Sequence, residues 1–294
     1  MAVNHSHMQP LIEHRLEFAG FDTRALELEG DGPPVVLLHG YADSADTWRL
    51  VLDRLARANR AALAVDLPGF GAADPLRPEG SMLDQLGAFA RAAVEHMADG
   101  AEPVVLAGNS LGGTVALRVA QDDSAPICGV VPIAPAGLDM PRWFQIIERD
   151  PFVRLILQTP LPLPEPLLRA AVGEAYRQLA FARPREAARE VIRAFTGHHR
   201  TKDRVVRMLD NGRRLLPELQ APFELERIAC PVLLVWGDRD RMVTHRGAAR
   251  VTEALPDTEV ELLKGIGHCP QLEAPERVAR LLTAFCAKPS QRAA

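Results

Sequence analysis

The chain has 294 residues, a formal net charge of −4, 47% apolar residues and only 5% aromatic ones. That apolar share can fill a large core and excludes a globally disordered chain. With no basic surplus and no basic stretch interleaved with stacking residues, nucleic acid is not an expected partner, and neither is an anionic membrane surface.

Met1 to Pro10 is polar. No N-terminal run reads as a signal peptide, and no stretch reaches the roughly 18 apolar residues of a membrane span. Stable membrane insertion is therefore not expected. Cys128, Cys230, Cys269 and Cys286 are scattered, with no C-x-x-C pair and no metal-finger spacing. They read as reduced thiols, and the expected location is cytoplasmic. Cys269 follows a histidine, which leaves a reactive role open beside simple packing.

Two alternating runs, His14 to Phe18 and Arg24 to Glu29, predict antiparallel edge strands with a turn over Gly20 to Asp22. Asp31-Gly32-Pro33-Pro34 reads as punctuation. Val35 to Leu38 is apolar on both faces, which suits a central strand covered on two sides. It runs into His39-Gly40-Tyr41-Ala42-Asp43-Ser44, and a helix is predicted from Ser44 to Ala58. Ala61 to Asp66 is the next buried strand, followed by the turn-rich Leu67-Pro68-Gly69-Phe70-Gly71. Asp66 reads as a tie for the loop amides after it, and His39 as a brace for its own loop. Ser81 to Met97 predicts an amphipathic helix.

Val104 to Gly108 is a short apolar strand, and a helix-type run follows from Leu111 to about Ala120. Between them Gly108-Asn109-Ser110-Leu111-Gly112 fits G-x-S-x-G in a strand–turn–helix setting, the nucleophile elbow. The bend is tight enough that a side chain two residues either side of Ser110 would collide with the neighbouring strand or helix. It exposes the hydroxyl beside helix-start amides that lack intrahelical partners. Tyr41 N–H and Leu111 N–H are the expected oxyanion donors. Asn109, beside the serine, is a candidate substrate contact.

Ile127 to Ile133 is a further strand. From Leu138 to Phe223 buried strands vanish, and the pattern becomes helical with breaks at Pro160, Pro162, Pro164, Pro166 and Pro184. That length far exceeds an ordinary crossover. Residues 138–223 are therefore expected to form an inserted helical module, with the core built from 10–137 and 224–290. Trp143, Phe144 and Ile146 would roof a substrate pocket. The alternation resumes with a strand over Cys230 to Trp236, a helix over His245 to Leu255, a strand near Thr258 to Leu263 and a last helix from Pro275 to Ala287. No phosphate loop or dinucleotide fingerprint occurs, so neither a cofactor nor a metal site is expected.

Ser110, Gly237-Asp238-Arg239-Asp240 and His268 all follow strand ends. In a parallel sheet such ends open on one edge, where distant residues converge. A serine hydroxyl is a weak nucleophile without a base, and the base needs an acceptor to fix its tautomer. His268 suits the base. Asp240 is preferred to Asp238 as the acid because it stands further out on its loop. His245, His198 and His199 are alternative bases, the last two read as surface residues.

These pieces, in this order, resemble the α/β-hydrolase superfamily. The matching stretches are His39-Gly40, Asp66-Leu67-Pro68-Gly69-Phe70-Gly71, Gly108-Asn109-Ser110-Leu111-Gly112-Gly113, Trp236-Gly237-Asp238-Arg239-Asp240 and Gly267-His268. The resemblance implies an α/β fold with a mostly parallel central sheet flanked by helices and an inserted helical cap. It implies Ser110 as nucleophile, His268 as base, and Asp240, three residues after the W-G glycine, as acid. The implied activity is carboxylesterase- or lipase-like hydrolysis of a small apolar ester or related acyl substrate. Ser110 separates this chain from members with an Asp nucleophile. Gly-Asn-Ser resembles carbon–carbon bond hydrolases of ring-cleavage products, although the His39-Gly40-Tyr41-Ala42-Asp43 segment departs from their glycine-rich one. Perhydrolase-like chemistry and a ligand sensor retaining the fold are the remaining alternatives. The physiological substrate and the oligomeric state are not encoded in these motifs.

Overall fold

The computed structural model describes residues 10–98, 102–139 and 164–287. Eight strands form one sheet: β1 (Ile12–Phe18), β2 (Phe21–Leu28), β3 (Asp31–Leu38), β4 (Arg60–Val65), β5 (Val104–Asn109), β6 (Ile127–Ile133), β7 (Leu233–Gly237) and β8 (Glu259–Leu263). Their spatial order is β1-β2-β4-β3-β5-β6-β7-β8. The β1–β2 and β2–β4 pairs are antiparallel, and every pair from β4 to β8 is parallel.

The period of two in the strands builds two cores. In β3, Val36 and Leu38 face one side, where they join Leu63, Val65 and Leu106 beneath α2 (Met82–Ala98) and α3 (Leu111–Val119). Val35 and Leu37 face the other side with Ala62, Ala64 and Val105. There they meet Leu52 and Leu55 of α1 (Arg49–Arg57) and Leu282 and Phe285 of a C-terminal helix over Pro275–Cys286. Being covered on both faces is why these strands read as unbroken apolar runs.

Between β6 and β7 lie α4 (Glu165–Ala180), α5 (Arg189–Gly197) and α6 (Lys202–Glu218). Tyr176 of α4 stacks on Phe195 of α5 at 3.7 Å between ring centroids. Glu218 at the end of α6 accepts from Ser81 Oγ and from the Met82 and Leu83 amides, capping α2. The remaining helices are α7 (Ala248–Ala254), α8 (Pro270–Glu273) and α9, the Pro275–Cys286 helix already placed on the core.

Several boundaries differ from the sequence reading, among them the turn expected over Gly20 to Asp22, where β2 already begins at Phe21. Asp31 to Pro34 belongs to β3 rather than to a turn. Asp31 pairs with Arg60, and a register shift before Val35 absorbs the two prolines, which have no N–H to give. Pro166 does not break a helix but stands in the first turn of α4, where a missing N–H costs nothing. The helix predicted from Ser44 opens as a 3-10 turn over Ala45–Trp48 before α1. Trp143, Phe144 and Ile146 lie outside the described residues.

Candidate active site

The strand–helix turn at Ser110 is bent as the glycine pattern requires. Ser110 stands at φ 51°, ψ −114°, a conformation that a residue with a Cβ rarely adopts. A Cβ on Gly108 would lie 2.3 Å from the Gly112 backbone, and one on Gly112 would lie 2.3 Å from the Leu38 carbonyl oxygen. The serine amide is fixed to the Ile133 carbonyl at 2.8 Å. Ser110 is 8% exposed, so the hydroxyl stands at a sheltered tip. Leu111 is the first residue of α3, and its amide belongs to the orphan donors of a helix start.

Asp240 and His268 meet across two loops that follow β7 and β8. His268 Nδ1 lies 2.7 Å from Asp240 Oδ2, and both side chains are essentially excluded from water. Asp240 Oδ1 accepts from the Met242 and Val243 amides at 2.7 and 3.0 Å, and Trp236 Nε1 donates to Oδ2 at 3.2 Å. With the carboxylate so fixed, its oxygen claims the proton on Nδ1 of His268. That leaves the Nε2 lone pair for a proton arriving from elsewhere. The two loops are packed backbone to backbone, since a Cβ on Gly237 would lie 2.2 Å from the Gly267 carbonyl oxygen. Asp238 takes a different part, accepting from the Gly265 amide at 2.6 Å inside its turn.

Asn109 joins the elbow to the His268 loop. Its Nδ2 donates to the His268 carbonyl at 2.9 Å and reaches the Ile133 carbonyl at 3.3 Å. Its Oδ1 accepts from Gln271 Nε2 at 3.1 Å, and the residue is 1% exposed. An amide engaged in this way is a strut behind Ser110 rather than the substrate contact expected from sequence. Gln271, Tyr176 and Glu273 were not singled out by sequence, and His199 was read only as a surface alternative base. For Gln271 a signal existed: Pro270 starts a helical turn directly after His268, which points the following side chains back at the elbow.

The Gly40–Tyr41 segment is set by His39. The imidazole is fully buried, accepts from the Leu67 amide on Nε2 at 2.8 Å, and lies 2.7 Å from the Gly40 carbonyl through Nδ1. These partners require the Nδ1–H tautomer, and burial pulls its pKa down to about 4, so the ring is neutral. In a trans peptide the N–H points opposite to the C=O. With the Gly40 carbonyl drawn to His39, the Tyr41 amide is turned the other way. Gly40 itself packs on Ser110, a Cβ there falling 3.4 Å from Ser110 Cβ.

Other groups around the site are structural. Asp66 accepts from the Ala45 and Ala72 amides at 2.7 and 2.8 Å and pairs with Arg24, tying down the loop after β4. Burial raises the Cys269 thiol well above its usual range, which keeps it protonated and unreactive. His199 is buried rather than on the surface, and His198 is half-buried near Asp46.

A sequence model of the alpha/beta hydrolase family matches residues 35–281. The dihydrolipoyllysine-residue acetyltransferase component of the acetoin cleaving system of Pseudomonas putida is 29% identical, over 93% of this chain and 69% of that protein. Monoacylglycerol lipase ABHD6 of Bos taurus is 22% identical, over 88% of this chain and 76% of that protein. Among solved structures, a bacterial membrane phospholipase A superposes with a TM-score of 0.76 at 24% identity, covering 94% of this chain and 85% of that one. Among the described residues, no helix is long and apolar enough to cross a membrane.

Proposed function

The chain belongs to the alpha/beta hydrolase family, and on that footing we propose that it is a serine hydrolase acting on carboxylic esters of small apolar substrates. The observation that carries the reading is the buried 2.7 Å pair of His268 and Asp240, tied through Asn109 to a serine held at positive φ. The similar monoacylglycerol lipase and phospholipase A bear names that denote ester hydrolysis, which supports the same bond type here.

Ser110 Oγ attacks the acyl carbonyl while His268 Nε2 takes its proton. The imidazolium is stabilised by Asp240, and the oxyanion is held by the amides of Tyr41 and Leu111. Each such donor typically contributes about 3 kcal/mol to the barrier reduction. The tetrahedral adduct expels the alcohol, which receives the proton from His268. Water attacks the acyl-enzyme by the same route in reverse, releasing the acid and restoring Ser110. Residues 138–223 form the cap over this centre in our reading, with residues 10–137 and 224–290 as the core. The apolar roof expected at Trp143, Phe144 and Ile146 would select the acyl group. Four free thiols fit a reducing, cytoplasmic setting.

The test is labelling with a fluorophosphonate followed by turnover of p-nitrophenyl esters of graded chain length, for wild type and Ser110→Ala. Loss of both in the variant is the expected result. Labelling at another residue, or unchanged turnover, overturns the assignment. A vinylogous diketone and a peracid assay in the same panel separate carbon–carbon and perhydrolase chemistry from ester cleavage. Labelling without steady-state turnover would favour a ligand sensor.

A further inference from the structure

The segment from Tyr41 to Asp46 is gripped at four points by the helices between β6 and β7. The Tyr41 hydroxyl donates to the Met208 carbonyl on α6. His199, at the α5–α6 junction, places Nε2 2.7 Å from the Ala42 carbonyl. Tyr176 of α4 faces the Asp43 carboxyl. His198 Nε2 lies 3.8 Å from Asp46 Oδ2. The same helices reach the base loop, where the His268 amide donates to the Ala180 carbonyl at 2.9 Å.

We propose that His199 is a positioning residue that aims the Tyr41 oxyanion donor through two peptide planes joined by a hydrogen bond. This rests on the serine-hydrolase reading above. The first plane is Ala42–Asp43. Its carbonyl is drawn to His199 Nε2, and its N–H, directed oppositely, donates to the Gly40 carbonyl at 3.3 Å. The second plane is Gly40–Tyr41. Its carbonyl is held by that bond and by His39, and its N–H is the oxyanion donor. Aligned hydrogen bonds of this kind polarise one another, so the first donor also strengthens the last.

Two further observations make the outside contact necessary. Ala42 stands at φ 61°, in the left-handed region that a Cβ disfavours, so the turn does not hold itself. His199 is built for the task. It is 6% exposed, packs against Phe195 with ring centroids 5.0 Å apart, and leaves Nδ1 buried without a partner among the described residues. That pattern is a neutral imidazole donating from Nε2, and burial lowers its pKa in the same direction.

The experiment compares His199→Leu, which fills the aromatic-lined space without a donor, with His199→Gln, which restores an N–H. Turnover is measured per active site titrated with the phosphonate, so a misfolded fraction drops out. Leu is expected to lower kcat about tenfold with KM little changed, short of the 10²–10³ lost when a donor is removed outright. It should weaken a trifluoromethyl ketone, whose adduct carries the oxyanion, by the same factor while leaving the product acid unaffected. Gln should recover most of both. A Leu variant with wild-type kcat per titrated site, or a ketone affinity that does not follow kcat, overturns the proposal. Amide hydrogen exchange across residues 39–46 reads the relay without any turnover. Faster exchange at Asp43 in the Leu variant is expected, and unchanged protection overturns the relay even if Ser110 proves not to be the nucleophile.

Discussion

Asn109 donates from Nδ2 to the backbone carbonyl of His268 at 2.9 Å, so the residue before the proposed nucleophile holds the residue proposed as its base. The spacing between Ser110 and His268 therefore depends on a side chain that touches no reacting atom. Asn109→Ala should lower kcat by about 10- to 100-fold, because small misplacements of a base are costly. It should also cost about 1–3 kcal/mol in urea unfolding, since Gln271 loses one of its two acceptors and the His268 carbonyl its donor inside the protein. A kcat equal to wild type would remove Asn109 from the positioning machinery.

Asp240→Asn should be far more damaging to turnover than to folding. The two amides of Met242 and Val243 both point at Oδ1, and an asparagine would keep its single oxygen there. Its NH2 would then face Nδ1 of His268, which must become an acceptor and carry its proton on Nε2. That tautomer cannot receive the serine proton, and in a comparable triad the same exchange costs about 10⁴ in kcat. Asp238→Asn is the matched control, because its carboxylate accepts from the Gly265 amide inside its own turn and takes no part in the His268 pair. Equal losses in the two variants would contradict the assignment of the acid.

Most of the sheet, and the meeting of Asp240 with His268, were legible because each depends on local pattern. Runs such as Val35 to Leu38 are apolar on both faces, and such strands align their ends by topology. Asp240 and His268 stand 28 positions apart yet meet because β7 and β8 are parallel neighbours. What stayed hidden depends on packing between distant elements. Nothing around His199 distinguishes it from a solvated helix end until α4 and α5 fold over the loop at Ala42. Asn109 looked available to substrate because its partners, His268 and Gln271, come from the far end of the chain. Asp31 to Pro34 misled for the opposite reason, since a bulge lets an edge of β3 carry residues that locally signal a turn.

Gly112→Ala tests the elbow's steric demand directly. The new methyl would stand 2.3 Å from the Leu38 carbonyl oxygen and 2.6 Å from that of His39, backbone atoms of the central strand and its end. Neither can move without parting α3 from β3. A loss of about 3 kcal/mol or more is expected, at the upper end for overpacking. Gly87→Ala, inside α2 where a Cβ meets nothing within 4 Å, should instead stabilise by about 0.5–1 kcal/mol. Urea titrations of both variants decide the point, and similar effects would argue against the crowding at Gly112.

Asp43 and His39 should give the protein a pH dependence of stability whose two parts oppose each other. Burial pulls His39 down to about 4 from its ordinary 6.5. Between those values the unfolded chain holds the proton and the fold does not, so this contribution is present above pH 6.5 and is lost as pH falls toward 4. Burial pushes Asp43 up to about 7 from its ordinary 3.8. Across that range the fold holds the proton and the unfolded chain does not, so this contribution is present below pH 3.8 and is lost as pH rises through 7. Between pH 4 and 6.5 the two slopes largely cancel. Asp43→Asn keeps an oxygen for the Ser44 amide, which Asp43 Oδ1 now accepts at 2.9 Å, and removes only the ionisation. The variant should gain on wild type as pH rises from 4 to 8, by an amount on the order of 4 kcal/mol over the whole range. Its stability should also fall more steeply on acidification below pH 6.5, with His39 left unopposed. Urea midpoints at pH 4.5, 6 and 8 measure this, and a constant difference between variant and wild type across them would place the ionisation of Asp43 outside that window.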